Sequence, residues 1–403
     1  MLEPEIYRRS ERLAKAQLPT WRVAQTHNVD HFEKSGFPVR ITSVGEVGQL
    51  LDTMQENRFQ KYMRELGGLT ESEYALLIEV CRDTVLFQMT YLPYRQPILP
   101  ISTLLSVFAL YKKFLGIDTN FRSVLEIGPG CGYLSFFLRH HSALQNYSQI
   151  EACESFYILQ NLVNLHCFGP RFEERAFLPR EASVLDYFSP AETRPAYTEM
   201  SPTVRLAQRP PLCSHYPWWR IGELATRDAR FQIVISNANL LEFNTTALDD
   251  YLTLLHQVME PAGVFLVQCT GLAASGTLES LIDKLWEKGF ATLMFVLESK
   301  PIAAPQAAGS SSLLAHLKGE ANGPTTFAVN NCLFVKAGHP LFQKYRERAN
   351  CHSHFIGNEP LVGDAFFARP PDRRMYSMQE FVEDTEKSLA EISEPGQFQH
   401  AAE

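Results

Sequence analysis

Several signals that would place this protein in a membrane or outside the cell are missing from its sequence. The apolar runs, such as residues 104–111, are far shorter than the roughly 20 residues that a membrane-spanning helix needs. The N-terminal stretch MLEPEIYRRSERLAKAQ has no apolar core of the signal-peptide type. The eight cysteines include no C-x-x-C pair, and several stand in apolar runs, where a free cysteine behaves as a small core residue. We therefore predict a soluble cytoplasmic protein in a reducing compartment.

The chain also lacks an excess of positive charge. It has 37 Lys and Arg against 45 Asp and Glu, so the formal net charge is −8 at pH 7. Proteins that bind nucleic acid through its phosphates use positive charge for that contact. The composition therefore predicts no nucleic-acid partner. With 403 residues and 45% hydrophobic content, the chain is long enough for two or three domains with a substantial core.

Residues 1–116 are predicted to form an N-terminal helical region. Its first part, residues 1–46, is polar and irregular, so we expect it to lie over the surface or to be partly disordered. Apolar residues then recur mostly at spacings of three and four over about residues 47–66 and 71–89. This spacing is typical of helices that bury one face.

The ends of these helices carry local signals. Thr70 and Glu73 have the spacing of a capping box, in which each side chain accepts a backbone N–H of the other residue. A third helix is predicted to begin with Ser102 as its N-cap and to end at Gly116.

Residues 123–151 carry the most informative pattern. A short apolar run ending at Ile127 predicts a buried parallel strand, and three glycines follow it at every second position: Gly128, Gly130 and Gly132. Glycine suits a sharp turn from strand to helix because it accepts positive φ and lets a ligand approach the backbone. An apolar helix and a second strand ending at Glu151 come next. This order predicts a nucleotide-binding βαβ unit.

The spacing of the glycines indicates which nucleotide the unit binds. A dinucleotide fold normally has the pattern G-x-G-x-x-G, whereas here the pattern is E-x-G-x-G-x-G and begins at Glu126. This pattern resembles motif I of the class I S-adenosylmethionine-dependent methyltransferases. The resemblance implies an α/β fold with a Rossmann-like seven-stranded sheet and an antiparallel last strand. It also implies S-adenosyl-L-methionine as the cofactor.

The resemblance further implies which residues bind the cofactor. The glycine turn packs against its methionine part, which involves Glu126, Gly128, Gly130 and Gly132. Glu151 stands where the superfamily has an acid that holds the ribose hydroxyls, and Glu154 is the next candidate for that contact. Asp186, at the end of a third strand predicted over residues 182–188, is expected to meet the adenine amino group; an acid in a surface turn is the alternative. Asn237 after the fourth strand completes the set.

Further strands complete a methyltransferase domain over residues 117–345. The fourth strand begins at Phe231, and the later strands are predicted over residues 263–269, 291–297 and 327–336. The last two strands have no long helix between them, so we expect them to pair antiparallel. Residues 190–230 are predicted to form a long insertion. Residues 346–403 are a C-terminal extension, whose tail after about Pro370 is expected to be loosely attached.

Three strings resemble those of one branch of the superfamily, the bacterial proteins described as sugar O-methyltransferases. They are EACESFYILQN, SNANLLEF and NNCLFVKAGHPLF. This implies methyl transfer to a hydroxyl of a sugar or another small molecule. An acceptor nitrogen, or a peptide or protein acceptor, remains the alternative, although the N-P-P-Y/F string of enzymes that methylate base or glutamine nitrogen is absent. A non-catalytic nucleotide-binding protein and a nicotinamide-dependent oxidoreductase are further alternatives.

Transfer to a hydroxyl requires a proton acceptor near the reacting oxygen. His215, in the aromatic part of the insertion, and Glu242, beyond the fourth strand, are the predicted catalytic residues. His256 and His339 follow them, and a purely structural role is the alternative for each histidine. Asn239 is also expected to face the cleft, because ligands of open α/β sheets bind beyond the carboxyl ends of the strands.

No metal or membrane partner is predicted. Cys351, His352 and His354 offer soft ligands close together, but a zinc site normally draws on four ligands in spaced pairs. The predicted partner is a small-molecule or saccharide acceptor. The oligomeric state stays open.

Overall fold

One sheet of eight strands organises the part of the chain that this computed structural model describes. The described residues are 3–17, 38–176, 211–226, 229–237, 239–243, 245–268, 278–297, 330–340 and 372–393. The strands are β1 (Ser123–Ile127), β2 (Asn146–Glu151), β3 (Phe172–Glu174), β4 (Cys213–Pro217), β5 (Phe231–Asn237), β6 (Met259–Gln268), β7 (Phe290–Leu297) and β8 (Asn330–Lys336). Their order across the sheet is β3-β4-β2-β1-β5-β6-β8-β7.

The pairing pattern confirms the predicted fold class. β1 pairs parallel with β2 and β5, and β5 pairs parallel with β6. β8 is antiparallel to both β6 and β7, so the last two strands form the predicted antiparallel end. All five residues of β1 are buried, as expected for a parallel strand whose two faces are covered.

The third strand of the predicted sheet comes from a different part of the chain. The strand beside β2 is β4, which lies within residues 190–230, the predicted insertion. Pro211 precedes β4 and Pro217 is its last residue, and both indicate a loop, because proline removes a backbone donor. Burial of all five residues in the sheet overrides that local signal. Residues 182–188 lie outside the described part of the chain, and β3 is an additional edge strand.

The helices agree with the predictions except at some of their ends. They are α1 (Pro4–Gln17), α2 (Val47–Thr53), α3 (Phe59–Leu66), α4 (Glu71–Tyr91), α5 (Ile101–Ile117), α6 (Leu134–Leu138), α7 (Glu154–Phe168), α8 (Gly222–Thr226), α9 (Thr245–Val258), α10 (Leu278–Glu287) and α11 (Met378–Ser393). The capping box of Thr70 and Glu73 is confirmed at the start of α4. Ser102 is not an N-cap, because α5 already begins at Ile101 after Pro100. The run over residues 47–66 forms two helices, α2 and α3.

The N-terminal segment forms a packed helix. On α1, the Tyr7 ring lies 5.1 Å from the Tyr157 ring and 4.9 Å from the Trp219 ring, measured between centroids. Tyr7 is completely buried by these contacts. The expectation that residues 1–46 lie loosely over the surface is therefore wrong for residues 3–17. The buried face of α1 combines Tyr7 and Ala14 with the polar residues Ser10 and Glu11, whereas Ile6 and Leu13 are exposed.

The C-terminal segment is also docked. The Tyr376 ring stacks on Tyr74 of α4 at 3.8 Å, and Phe381 of α11 is completely buried. Arg373 donates hydrogen bonds to the Gly68 carbonyl at 2.6 Å and to Glu73 Oε1 at 2.7 Å. The expectation of a loosely attached tail is wrong for residues 372–393, because these contacts fix the segment to the start of α4.

A buried carboxylate fastens α1 to the sheet domain. Glu154, the first residue of α7, is completely buried and accepts hydrogen bonds from Arg8 at 2.7 Å and from Arg40 at 2.7 Å. The Ile41 N–H adds a third at 3.2 Å. A buried carboxylate needs such partners because it has lost its hydration.

We predict that Glu154→Gln destabilises the protein, because it leaves two arginines without their shared counter-charge. Breaking a buried ion pair from one side costs several kcal/mol, and since both arginines are partly exposed we expect about 2 to 3 kcal/mol. Urea unfolding measures the change. As the matched control, Glu5→Gln removes an exposed partner of Arg12 and should leave stability unchanged. Equal stabilities of Glu154→Gln and wild type would contradict this account of the α1 contact.

Candidate cofactor and acceptor site

The three glycines form a tight turn at the carboxyl end of β1. Gly128, Gly130 and Gly132 have φ angles of 61°, 59° and 74°, which residues other than glycine rarely adopt. A Cβ on Gly128 would lie 2.3 Å from Asn239 Nδ2, whereas a Cβ on Gly130 would meet nothing within 4 Å. The turn is therefore packed at its first glycine and leaves open space at its second.

Asn239 holds this turn against β5. Its Nδ2 donates a hydrogen bond to the Ile127 carbonyl, and its Oδ1 accepts one from Ser236 Oγ. The side chain is buried. The structure therefore uses Asn239 to position the glycine turn, a task that the sequence alone did not indicate. Asn237, two residues earlier, lines the adjoining cavity.

A cavity of about 170 Å³ lies between the glycine turn and the N-terminal helices. One wall comes from the sheet domain and includes Glu126, Gly128, Gly130 and Asn237. The opposite wall comes from the segment after α2 and from α5: Met54, Gln55, Glu56, Thr103, Ser106, Val107 and Leu110. Ligand pockets usually measure about 300–1,000 Å³, so this cavity suits one part of a nucleotide cofactor. Residues of the N-terminal helices and of the glycine turn therefore line the same cavity.

Glu126 brings a buried carboxyl group to this cavity. Tyr147 donates a hydrogen bond to it, and Gln149 Nε2 lies 3.5 Å from the same oxygen. Burial raises the pKa of Glu126 to about 7, because the charged form loses its hydration. The group is therefore close to its midpoint at neutral pH. A cationic ligand group beside it would favour the ionised form.

Glu151 stands at the carboxyl end of β2, as predicted. Its Oε1 accepts hydrogen bonds from the N–H groups of Ala152 and Cys153 at 2.7 and 2.8 Å. Its Oε2 accepts one from Gln160 Nε2 at 2.8 Å. A carboxylate has about four acceptor positions, so capacity remains for a ligand hydroxyl. Burial raises the pKa of Glu151 to about 7.

Gln160 joins this acid to the glycine turn. Besides its bond to Glu151, its Nε2 donates to the Gly130 carbonyl at 2.7 Å. One side chain of α7 thus sets the distance between the two predicted ends of the cofactor site. The sequence gives no sign of this link, because Gln160 lies on α7 and Glu151 at the end of β2. Glu154, the alternative ribose contact, is instead bound by Arg8 and Arg40.

His215 is not among the residues that line the cavity. It lies on β4, where its side chain is completely buried and its ring stacks on Tyr157 at 4.0 Å. Burial lowers its pKa well below the usual range. The prediction that His215 lies in a loop is wrong, because residues 213–217 pair with β2. The His215 ring is completely buried against Tyr157 and does not reach an acceptor bound beyond β5. We therefore do not retain His215 as the base.

His339 and His256 lie at the end of the sheet opposite to the glycine turn. His339 follows β8, which runs antiparallel to β6, and its Nε2 is 3.0 Å from the Ala262 carbonyl oxygen. His256 packs edge-to-face against Phe290 at the start of β7. Both positions are near the amino ends of the parallel strands, whereas the glycine turn lies at the carboxyl ends. Neither histidine belongs to the candidate site.

Glu242 lies beyond the carboxyl end of β5, the same end of the sheet as the glycine turn. It ends the short 3-10 helix Leu240–Glu242 directly after β5, and its N–H donates to the Asn239 carbonyl at 3.0 Å. It is partly exposed. Its role as a base stays a prediction. Asp186 and the Cys351, His352 and His354 cluster lie outside the described residues.

Among the described residues, no group of three His, Cys, Asp or Glu side chains is arranged to hold a metal ion. Within the same ranges, every helix is too short or too polar to cross a membrane.

The raised pKa of Glu126 predicts a pH effect on stability without ligand. The folded-state pKa of about 7 lies above the model-peptide value, so ionisation of Glu126 lowers stability as pH rises from about 4.5 through 7. We expect Glu126→Gln to gain about 2 to 3 kcal/mol relative to wild type between pH 5 and pH 8. Urea titrations at both pH values measure this difference. As the control, Glu71→Gln, at an exposed position, should differ from wild type in stability by the same amount at both pH values. If the stability difference between Glu126→Gln and wild type is also the same at both pH values, the prediction is refuted.

Comparisons with known proteins add the following. No protein-family model matches the sequence, and no curated protein sequence matches it. Solved structures to which this chain is similar include a TehB-like SAM-dependent methyltransferase from Corynebacterium glutamicum, at 11% identity over 56% of this chain and 87% of the other, with a TM-score of 0.31. They also include the N-methyltransferase NodS from Bradyrhizobium japonicum bound to S-adenosyl-L-homocysteine, at 10% identity over 58% and 87%, with a TM-score of 0.32.

A third is an O-methyltransferase family protein from Burkholderia thailandensis, at 11% identity over 59% of this chain and 58% of the other, with a TM-score of 0.32. Likenesses this distant do not indicate an acceptor. The fold follows from the sheet itself, in which parallel strands end in an antiparallel pair and the glycine turn follows β1. The chain has the fold of the class I S-adenosylmethionine-dependent methyltransferases.

Proposed function

We propose that this protein is an S-adenosylmethionine-dependent methyltransferase that acts on a hydroxyl of a sugar or another small molecule. One observation carries the proposal: the glycine turn after β1 and Glu151 after β2 are joined by Gln160. In open α/β sheets, ligands bind beyond the carboxyl ends of the strands, which is where these groups lie. The hydroxyl acceptor rests on the sequence resemblance to sugar O-methyltransferases.

The residues present fit this cofactor. The open space beside Gly130 lets a ligand approach the backbone of the turn. The Glu126 carboxyl group suits the cofactor's amino group, and the remaining acceptor positions of Glu151 suit ribose hydroxyls. When bound, S-adenosylmethionine supplies an electrophilic methyl group on its sulfonium sulfur.

The protein's part in the reaction is to align the acceptor and to exclude water. Alignment of two reactants can supply about 7 to 11 kcal/mol of rate acceleration. Gln55, Glu56 and residues of α5 line the same cavity as the glycine turn, so these side chains displace water from that part of the cavity. Asn237 reaches the same cavity from the end of β5. Side chains beyond β5 are therefore the nearest ones for holding an acceptor.

Glu242 is the base in this proposal. It lies directly after β5 on the same edge of the sheet as Asn237, and its carboxylate would accept the proton that the acceptor hydroxyl loses during attack. A carboxylate in this role contributes through proton transfer in the transition state rather than through cofactor binding.

The first test is transfer of label from methyl-labelled S-adenosylmethionine into a cell extract divided into small metabolites, saccharides and proteins. We expect base-resistant label in the metabolite or saccharide fraction, which is typical of a methyl ether. Label in the protein fraction alone would instead indicate a peptide or protein acceptor. Measurable binding of S-adenosylhomocysteine without any labelled product would contradict catalysis.

A second prediction concerns Glu242. Because a positioned base typically contributes about 10²- to 10⁴-fold, Glu242→Gln should lower kcat by a factor in that range. Affinity for S-adenosylhomocysteine, measured by calorimetry, should stay within about twofold, since Glu242 is not assigned to the cofactor. The matched control is His215→Gln, whose kcat should fall far less than that of Glu242→Gln at the same folded fraction. If Glu242→Gln keeps full kcat, the base is another residue.

A further inference from the structure

Tyr133 lines the cavity, and its hydroxyl is buried without a hydrogen-bond partner among the described residues. Tyr133 directly follows the last glycine of the turn and is only 3% exposed. The Gln55 side chain, which lines the same cavity, interacts with this hydroxyl, but no hydrogen bond of standard geometry joins the two groups. Among the described residues, the hydroxyl therefore lacks a well-formed hydrogen bond.

The ring of Tyr133 has a structural role that does not need the hydroxyl. The residue is the N-cap position of α6, and its ring packs near Phe136, with 6.3 Å between centroids. A phenylalanine would make the same contact. A buried hydroxyl without a partner is unfavourable, and most buried polar groups in proteins are hydrogen-bonded. The hydroxyl therefore points to a ligand group that completes its bonding.

The chemistry of the hydroxyl limits what that group is. Burial raises the pKa of Tyr133 well above its ordinary value, so the phenol keeps its proton at neutral pH and acts as a donor. Donors of this kind bind a negatively charged oxygen more strongly than a neutral one. In the proposed function, the methionine part of the cofactor lies against the glycine turn. That part carries one anionic group, its α-carboxylate.

We propose that Tyr133 donates a hydrogen bond to the α-carboxylate of the cofactor. The inference rests on the proposed function and deepens it by assigning a residue of this cavity. Glu126 lines the same cavity and offers a negative charge to the amino group. A donor and a carboxylate in one cavity distinguish the two charged groups of an amino acid. They therefore fix the orientation of the methionine part.

The test compares Tyr133→Phe with wild type in calorimetric titrations of two ligands. One is S-adenosylhomocysteine, and the other is its decarboxylated analogue, which keeps the amino group. A hydrogen bond to a charged group is typically worth about 1.5 to 3 kcal/mol, so we expect Tyr133→Phe to bind S-adenosylhomocysteine about 10- to 100-fold more weakly. Its affinity for the decarboxylated analogue should stay within about twofold of wild type.

Two control variants separate this contact from general effects. Tyr7→Phe removes another buried hydroxyl without a described partner, outside the residues that line the cavity, and should leave the affinity ratio of the two ligands unchanged. Glu151→Ala removes the proposed ribose contact and should weaken both ligands by the same factor. Thermal unfolding without ligand completes the set, and Tyr133→Phe should melt at the wild-type temperature or above it.

Each other result has a definite meaning. Equal weakening of both ligands by Tyr133→Phe, or no weakening at all, overturns the carboxylate contact. A lower melting temperature with unchanged affinity shows that the hydroxyl is structural and also overturns it. If the wild-type protein binds neither ligand, the proposed function itself fails, which is distinguishable from failure of the Tyr133 contact alone.

Discussion

The geometry of the candidate site depends on the side-chain amide of Gln160. Its nitrogen donates one hydrogen bond to the Gly130 carbonyl and another to Glu151, so the glycine turn and the acid at the end of β2 are held at one separation. Gln160 is completely buried on α7, and the first residue of α7, Glu154, is bound by Arg8 and Arg40. These ion pairs therefore fix the N-terminal segment to α7, the helix that carries Gln160.

Three carboxyl groups are buried around the ends of β1 and β2, and their partners differ. Glu154 has two arginine partners, which supply the opposite charge and fix an interface. Glu126 and Glu151 have only neutral donors, and burial raises the pKa of each to about 7. Ionisation of these two groups is unfavourable without a ligand. A ligand cation beside Glu126 and a ligand hydroxyl bonded to Glu151 would stabilise the ionised forms. The two uncompensated carboxyl groups are those assigned to the cofactor.

Local patterns were sufficient for much of the fold. The apolar run before Gly128, the capping box at Thr70 and the strands from β5 onward all follow from neighbouring residues and short-range spacing. The same patterns identified the glycine turn and the acid at the end of β2. The failures occurred where local signals and packing disagree. The prolines before and at the end of β4 indicated a loop, and the buried face of α1 could not be recognised from its composition, because it includes the polar residues Ser10 and Glu11.

The sequence by itself determined β1, β2, the strands from β5 onward, the glycine turn and the acid at the end of β2, because each depends on residues close together in the chain. Only the tertiary structure decided which side chains complete the site. It buried His215 in the sheet, used Asn239 to hold the turn, and placed Gln160 between the turn and Glu151. It also brought α5 over Tyr133. These arrangements join residues far apart in sequence, and no short-range spacing encodes such contacts.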